Sequence, residues 1–348
     1  GMDDTWEDFY FKTLARDGSG DYDEDGLTDL EEFTLGTNPL KKDTDGDGYE
    51  DKEERDAGSD PTDPESFPLV EVVFPDPNLE VAVRLAIDKP TGDIRPSDLV
   101  GTGFNLLHAA NRGVANLTGL EYCTDLETLI LSGNDIEDLA PLAGLPNLEK
   151  LKLGNNQISS IAPLAGLTTL TTLEIQDNVL TDISPVGELS ALEKLSTQNN
   201  LLTDILPIAA LSSLRQFNCS NNAISDISSL EGIQTLEILT MSNAGIADLT
   251  PLSNLTNLTF LNANHNNFVD IAPLSGLTQL TGLHLEQNEL TTVAPLAELT
   301  KLTSLSLREN AISDLSPLVG LVDLVDLDIY DNEISDLSPL VNCPDLVG

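Results

Sequence analysis

The 348-residue chain carries 59 acidic against 16 basic side chains, a formal charge of −43. Such a molecule repels polyanions, which argues against nucleic acid and anionic membrane surfaces as partners and favours cations and basic partners. No run approaches the ~18–20 apolar residues of a membrane span, so direct membrane insertion is not expected, and Met2 is followed by Asp3, Asp4 and Glu7 where a signal peptide needs positive charge.

Residues 1–68 are the most acidic part, with 23 acidic and 6 basic side chains, against 36 and 10 in the remaining 280. Trp6, Phe9, Tyr10, Phe11 and Leu14 suggest a helix whose aromatic cluster is expected to pack on the segment that follows, with a binding strip as the alternative. There Asp21, Asp23, Asp25, Gly26, Leu27, Asp29 and Glu32 fit a twelve-residue calcium loop, and Asp43, Asp45, Asp47, Gly48, Tyr49, Asp51 and Glu54 repeat it 22 residues later. A hard cation takes six to eight oxygens, alternate aspartates converge from a tight loop, and glycine at the sixth position allows the bend. The carbonyls of Leu27 and Tyr49 are candidate seventh-position ligands, and Glu32 and Glu54 would close each site from a short helix. Calcium is therefore expected at two sites, with Asp17 and Ser19 extending the oxygen ladder toward a third, partial one. Each loop leaves through Gly36-Thr37-Asn38-Pro39 or Gly58-Ser59-Asp60-Pro61. A solvated acidic linker would not repeat these matches in register. The segment resembles the thrombospondin type 3-like repeats of bacterial surface proteins. A dockerin is the lesser match, because its second helices run longer and lack this exit. No helix is expected to lead into the second loop, since Asn38-Pro39-Leu40-Lys41-Lys42 precedes it, and Thr62 to Pro68 reads as a linker.

Residues 69–102 are read as a helical cap. Asp76 before Pro77 is an N-cap acid before a first-turn proline, and Val81, Ala82, Leu85 and Ala86 would give the helix its apolar face.

From residue 103 to 348 about eleven 22-residue repeats follow without insertion. Asn134, Asn156, Asn178, Asn200, Asn222, Asn266, Asn288, Asn310 and Asn332 mark the period, with Arg112 and Ala244 in the two slots that lack asparagine. Leu129 and Leu131 alternate with Thr128 and Ile130 as a short strand does, and stacking such strands makes a parallel sheet. Asn134 would turn inward to satisfy buried peptide groups, and Pro141 and its equivalents favour a tight turn or 3-10 segment on the back. Cys123 and Cys343 occupy one slot ten repeats apart, on the order of 50 Å at ~4.8 Å per strand, so they cannot pair; with Cys219 they read as buried hydrophobes. The repeats resemble the bacterial internalin-type leucine-rich repeat in its 22-residue form. That resemblance implies an α/β solenoid, right-handed and curved, with a parallel sheet on the concave face, 3-10 turns on the back and a helical N-terminal cap. No cap is evident after Cys343, for which truncation after Gly348 is the preferred reading over packing on another domain or molecule.

The exposed strand slots are read as Ser132, Lys152, Glu174, Ser196, Asn218 and Thr240, then more richly as Phe260, Asn262, Asn264, His265, His284, Glu286, Arg308, Asp328 and Tyr330. Phe260 beside Gly282 would leave a recess next to an exposed ring. Phe260, Asn262, His265, His284, Glu286, Arg308 and Tyr330 are the candidate partner-binding patch. His265 and His284 lack metal-ligand spacing, and no nucleophile elbow, phosphate loop or other catalytic constellation is present, so the chain is not expected to be an enzyme. The reading is a secreted or cell-surface bacterial binding or adhesion protein, monomeric unless its C-terminal end pairs, that holds a protein or glycan ligand on the concave face. Extracellular calcium is concentrated enough to fill even weak loops, and Gly1-Met2 reads as a tag remnant that stands in for a native leader. The alternatives are an intracellular scaffold or regulatory repeat protein and a non-catalytic targeting fragment of a larger surface enzyme.

Overall fold

The computed structural model describes residues 2–15, 17–66 and 71–346. They pack as two compact units, Gly1–Val72 with Asp93–Pro96, and Val73–Gly92 with Ser97–Gly348. In the first, α1 (Asp4–Phe11), α2 (Asp29–Leu35) and α3 (Asp51–Ala57) surround the acidic loops. Trp6 joins Tyr10 and Phe11 of its own helix and meets Phe33 of α2 at a ring separation of 5.4 Å, while Phe11 meets Tyr22 at 5.7 Å. The aromatic cluster is thus mostly packing, although Phe9 and Leu14 stay exposed.

The second unit is a solenoid built on one open, wholly parallel sheet of eleven three-residue strands in chain order. These are β1 Leu106–His108, β2 Thr128–Ile130, β3 Lys150–Lys152, β4 Thr172–Glu174, β5 Lys194–Ser196, β6 Gln216–Asn218, β7 Ile238–Thr240, β8 Phe260–Asn262, β9 Gly282–His284, β10 Ser304–Ser306 and β11 Asp326–Asp328. Each residue pairs with the one 22 further on, Leu107 with Leu129 and Leu129 with Leu151. The middle residue of each strand points into the core, where Leu129, Leu131, Ile136, Leu139, Leu142, Leu145 and Leu148 are buried. On the back a 3-10 segment completes each repeat, as at Ala140–Leu142. Asp138 accepts from Ala140 N–H there at 2.9 Å, and Asp182, Asp204, Asp226, Asp248, Asp270, Asp314 and Asp336 do the same for their own turns. Part of the chain's acidity is therefore an Asx turn that braces the entry of each such 3-10 segment and recurs with the period.

The repeat asparagine is the inward bracket. Asn200 donates from Nδ2 to Ile175 O at 3.0 Å in the preceding repeat and to Thr197 O at 2.9 Å in its own, while Leu180 N–H donates to its Oδ1 at 2.9 Å. The residue just before each asparagine has a left-handed backbone, from Asn155 (φ 58°) through Asn199 (57°) to Asp331 (54°). The two slots without asparagine share a different solution. Arg112 and Ala244 each precede a glycine of positive φ, Gly113 (70°) and Gly245 (83°). The next repeat's asparagine then accepts from both flanking amides, Asn134 from Arg112 and Val114, and Asn266 from Ala244 and Ile246.

The N-terminal cap is α4 (Pro77–Ala86). Asp76 caps it through Asn78 N–H and Leu79 N–H, and its second oxygen accepts from Ala115 N–H (2.7 Å) and Asn116 N–H (3.2 Å) of the first repeat. Burial would raise this carboxyl, but the four amides outweigh it and hold the group below the usual carboxylate range. This anchorage sets the helix rotation and corrects the expected apolar face: Leu79, Ala82 and Val83 are buried, while Val81, Leu85 and Ala86 are exposed. All three cysteines are unpaired and buried, as expected.

Asn200→Ala strips three buried peptide groups of their partner and is expected to cost about 2–4 kcal/mol in urea unfolding followed by circular dichroism. Leu201→Ala, at the neighbouring exposed position, is expected to cost less than about 0.5 kcal/mol.

Candidate functional site

The acidic unit builds two nearly identical nests. Asp21 accepts from Glu24 N–H (2.7 Å) and Gly26 N–H (3.0 Å), Asp23 from Asp25 N–H (3.3 Å), and Asp25 from Leu27 N–H (2.6 Å). In the second nest Asp43 accepts from Gly46 N–H and Gly48 N–H, Asp45 from Asp47 N–H, and Asp47 from Tyr49 N–H. Each aspartate so held keeps the loop tight. Gly26 and Gly48 supply the reversed backbone, with φ of 94° and 103°. The ligating oxygens of Asp21, Asp23 and Asp25 lie within 4.8 Å of one another, and so do those of Asp43, Asp45 and Asp47.

Six carboxylates of these nests (Asp23, Asp25, Glu32, Asp45, Asp47 and Glu54) each keep at least one buried oxygen with no hydrogen-bond partner. Buried, orphaned carboxylate oxygens at this density are costly without a cation, and their hard-oxygen character fits a divalent ion of the calcium type. Leu27, Asp29 and Asp51 are fully buried beside them. Glu32 is pushed up to about 8, first by burial and then by Asp23, Asp25, Asp29 and Asp51. Glu54 rises to about 7 by burial and by Asp47, Asp45 and Asp51. Asp51 rises to about 6 by burial, against hydrogen bonds from Thr44, and with repulsion from Asp25 and Asp23. Sequence spacing treats the loops as separate, whereas Asp51 faces the charges of both. Lys52 also crosses between repeats: a Cβ on Gly26 would lie 2.7 Å from its Cδ. Asp17 is exposed and bonded to Ser19, and it belongs to neither cluster.

On the solenoid, the first and last residues of each strand and the second residue after it present three outward slots. The structure corrects the register of the sequence reading: Ser132 belongs to the third slot with Gly154, and Ile130 is the true equivalent of Lys152. His265 lies outside these slots altogether. It occupies the left-handed rim position (φ 56°) shared with Gln287 and Glu309. The signal for this was present in the asparagine-rich position before each marker asparagine. The expected recess at Gly282 is also absent, because the Phe260 ring lies over it and a Cβ at 282 would come within 2.6 Å of that ring. Phe260 meets the His284 ring edge-on at 5.2 Å. Asn262 accepts from Ser242 Oγ at 2.6 Å, and Glu286 from Ser306 Oγ at 2.8 Å. Arg308 lies 5.1 Å from the Tyr330 ring centroid and bonds Glu309 Oε1 at 2.8 Å. His284 Nε2 is 3.3 Å from Ser304 Oγ, which in turn bonds Asp326 at 3.4 Å. The serine stands between imidazole and carboxylate, so the carboxylate cannot orient the imidazole as nucleophile activation requires. At the other end of the sheet Glu174 is paired with both Lys152 (3.2 Å) and Lys194 (2.6 Å).

The family description "Leucine Rich repeats (2 copies)" matches residues 124–166, 212–254, 256–298 and 300–342, and "Bacterial TSP3 repeat" matches 21–42 and 43–64. Internalin C2 of Listeria monocytogenes is 34% identical, over 68% of this chain and 95% of that one, with a TM-score of 0.54. This chain belongs to the internalin-type leucine-rich repeat family. A second internalin of Listeria monocytogenes (inlF) is 29% identical over 79% of this chain and 95% of its own, with a TM-score of 0.65. No curated protein matches. The internalin-type solenoid and its TSP3 segment agree with the fold read from the sequence, and among the described residues no helix is long and apolar enough to cross a membrane.

The raised carboxyls fix the pH response of the metal-free acidic unit. A proton held up to about 8 on Glu32, against 4.5 ordinarily, stabilises the folded form fully below 4.5, and that stability is lost as pH rises through about 8. Glu54 and Asp51 act with the same sign. In EDTA, the unit is expected to melt at a lower temperature at pH 8 than at pH 5; equal melting temperatures would show that burial and neighbouring charge do not raise these carboxyls in the folded state.

Proposed function

We propose that this internalin-type protein is a secreted or cell-surface binding protein, without catalysis of its own, whose sheet face holds a protein or glycan partner. The observation that carries the reading is the outward-facing side-chain set on and just after β8–β11, half-buried at Phe260, Asn262, His284 and Glu286 and exposed at Arg308 and Tyr330. Phe260 over Gly282 and Arg308 against Tyr330 are aromatic and guanidinium groups held in place by neighbours, and Tyr330 is 67% exposed. Groups of this kind supply most of the affinity in protein interfaces, because little side-chain freedom is lost when they dock. Asn262, His284 and Glu286 provide polar contacts around them, and His265 lies on the adjoining rim. Within the reading, Phe260→Ala with Tyr330→Ala is expected to weaken binding of the labelled protein to cell surfaces or immobilised glycans by at least about tenfold. Unchanged binding would move the site elsewhere.

In the acidic unit we assign calcium to two sites. Asp21, Asp23, Asp25, Asp29, Glu32 and the Leu27 carbonyl would hold the first, and Asp43, Asp45, Asp47, Asp51, Glu54 and the Tyr49 carbonyl the second. Calcium there supplies the positive charge that lets these carboxylates stay ionised and close together. The role is structural, and millimolar calcium outside the cell suits it. Two millimolar calcium is expected to raise the melting temperature of the acidic unit relative to EDTA, as about 3–4.5 kcal/mol of linkage per site would for sites of about 1–10 micromolar, with heat released in calorimetry. Glu32→Gln should weaken the first site by at least about tenfold. Identical melts with and without calcium, and no binding heat, would overturn the assignment.

A further inference from the structure

The charges on the sheet face are sorted by strand. Taking the three outward slots of each of the eleven strands, the charged side chains are Lys150, Lys152, Glu174 and Lys194 on β3–β5, and Glu286, Arg308, Asp326 and Asp328 on β9–β11. The outward slots of β6–β8 between them hold no formal charge, nor do those of β1 and β2. The first block has an excess of lysine and the second an excess of carboxylate. A net positive block stands out in a molecule of charge −43.

Glu174 explains why the lysines stay together. Its side chain is 14% exposed, and its two oxygens take one ammonium from each flanking strand. Burial opposes its ionisation, but the bonds from Lys194 and Lys152 hold the carboxyl below its ordinary range. An ammonium has three donors, so Lys152 and Lys194 keep unused N–H groups, and the exposed Lys150 has no ion-pair partner among the described residues. We propose that the face recognises a partner protein of opposed charge blocks, with carboxylates seated on Lys150, Lys152 and Lys194 and a basic patch lying against Asp326, Asp328 and Glu286. The proposal rests on the sheet face being the binding surface. From β4 to β10 are six strand spacings, about 29 Å, the width of a small domain. A uniform polyanion such as a sulfated glycan would match the lysines yet meet the carboxylates of β9–β11.

The test uses synthetic peptides and the whole chain in 2 mM calcium. One peptide joins four glutamates to four lysines through ten prolines, which as a polyproline helix span about 31 Å; its control has three prolines and the same charges. By fluorescence anisotropy at low salt, the long peptide is expected to bind at least tenfold tighter than the short one. Lys152→Gln with Lys194→Gln should abolish that preference, and Glu174→Gln should strengthen long-peptide binding about threefold, a gain that misfolding cannot produce. Equal binding of the two peptides, including none by either, overturns the proposal, as does heparin binding more tightly than the long peptide. Long-peptide binding that is lost in Phe260→Ala/Tyr330→Ala but indifferent to the lysines keeps the face and rejects the charge blocks. Binding indifferent to both sets rejects the face as well.

Discussion

Stacked three-residue strands leave little backbone for regular hydrogen bonding, and every turn of the solenoid carries peptide groups inward beyond the reach of water. A single carboxamide per repeat answers them. Asn200 bonds Ile175 O of the repeat before, Thr197 O of its own, and Leu180 N–H. It needs a donor and an acceptor on one short side chain, which no apolar residue and no carboxylate supplies. The leucines fill the volume, but the asparagine sets how one turn is placed on the next. Where it is missing, at Arg112 and Ala244, the backbone reverses at a glycine and the following asparagine takes a second amide.

The same constraint explains how the acidity should be read. On the repeats part of the negative charge is an aspartate that braces the entry of the 3-10 turn, as Asp226 does by accepting from Ser228 N–H at 2.8 Å. Such charge belongs to the fold and carries no message about a partner. In the small unit the position is reversed: Glu32 and Glu54 are buried where their charge is unfavourable, so they are informative about what must be added. Net charge alone does not separate these two cases.

Much of the solenoid was legible because period and physics coincide. Leu129, Asn134 and Pro141 recur at one step, and each recurrence has one structural solution. The errors fell where the period is silent. Helix α4 has ten residues with apolar side chains on more than one side, and only the bonds that Asp76 accepts from the Ala115 and Asn116 amides select Leu79 and Val83 over Val81 and Leu85. The recess at Gly282 could not be judged from spacing, because glycine makes room that the next strand's Phe260 then fills. The spacing of the loop aspartates indicated their chemistry, whereas the influence of Asp51 on both loops depends on how the second repeat folds against the first.

The cysteines have a practical consequence. Cys123, Cys219 and Cys343 lie in the first repeat, near the middle and in the last, with no disulfide among them. Burial pushes the first two thiols up to about 12 and raises the third, so each is almost wholly protonated and shielded while its repeat is closed. A thiol of this kind reacts with an alkylating reagent only through local opening, at a rate set by the population of the opened form. The molecule thus carries three native gauges along its axis, and their separate labelling rates would trace how far fraying travels inward from either end.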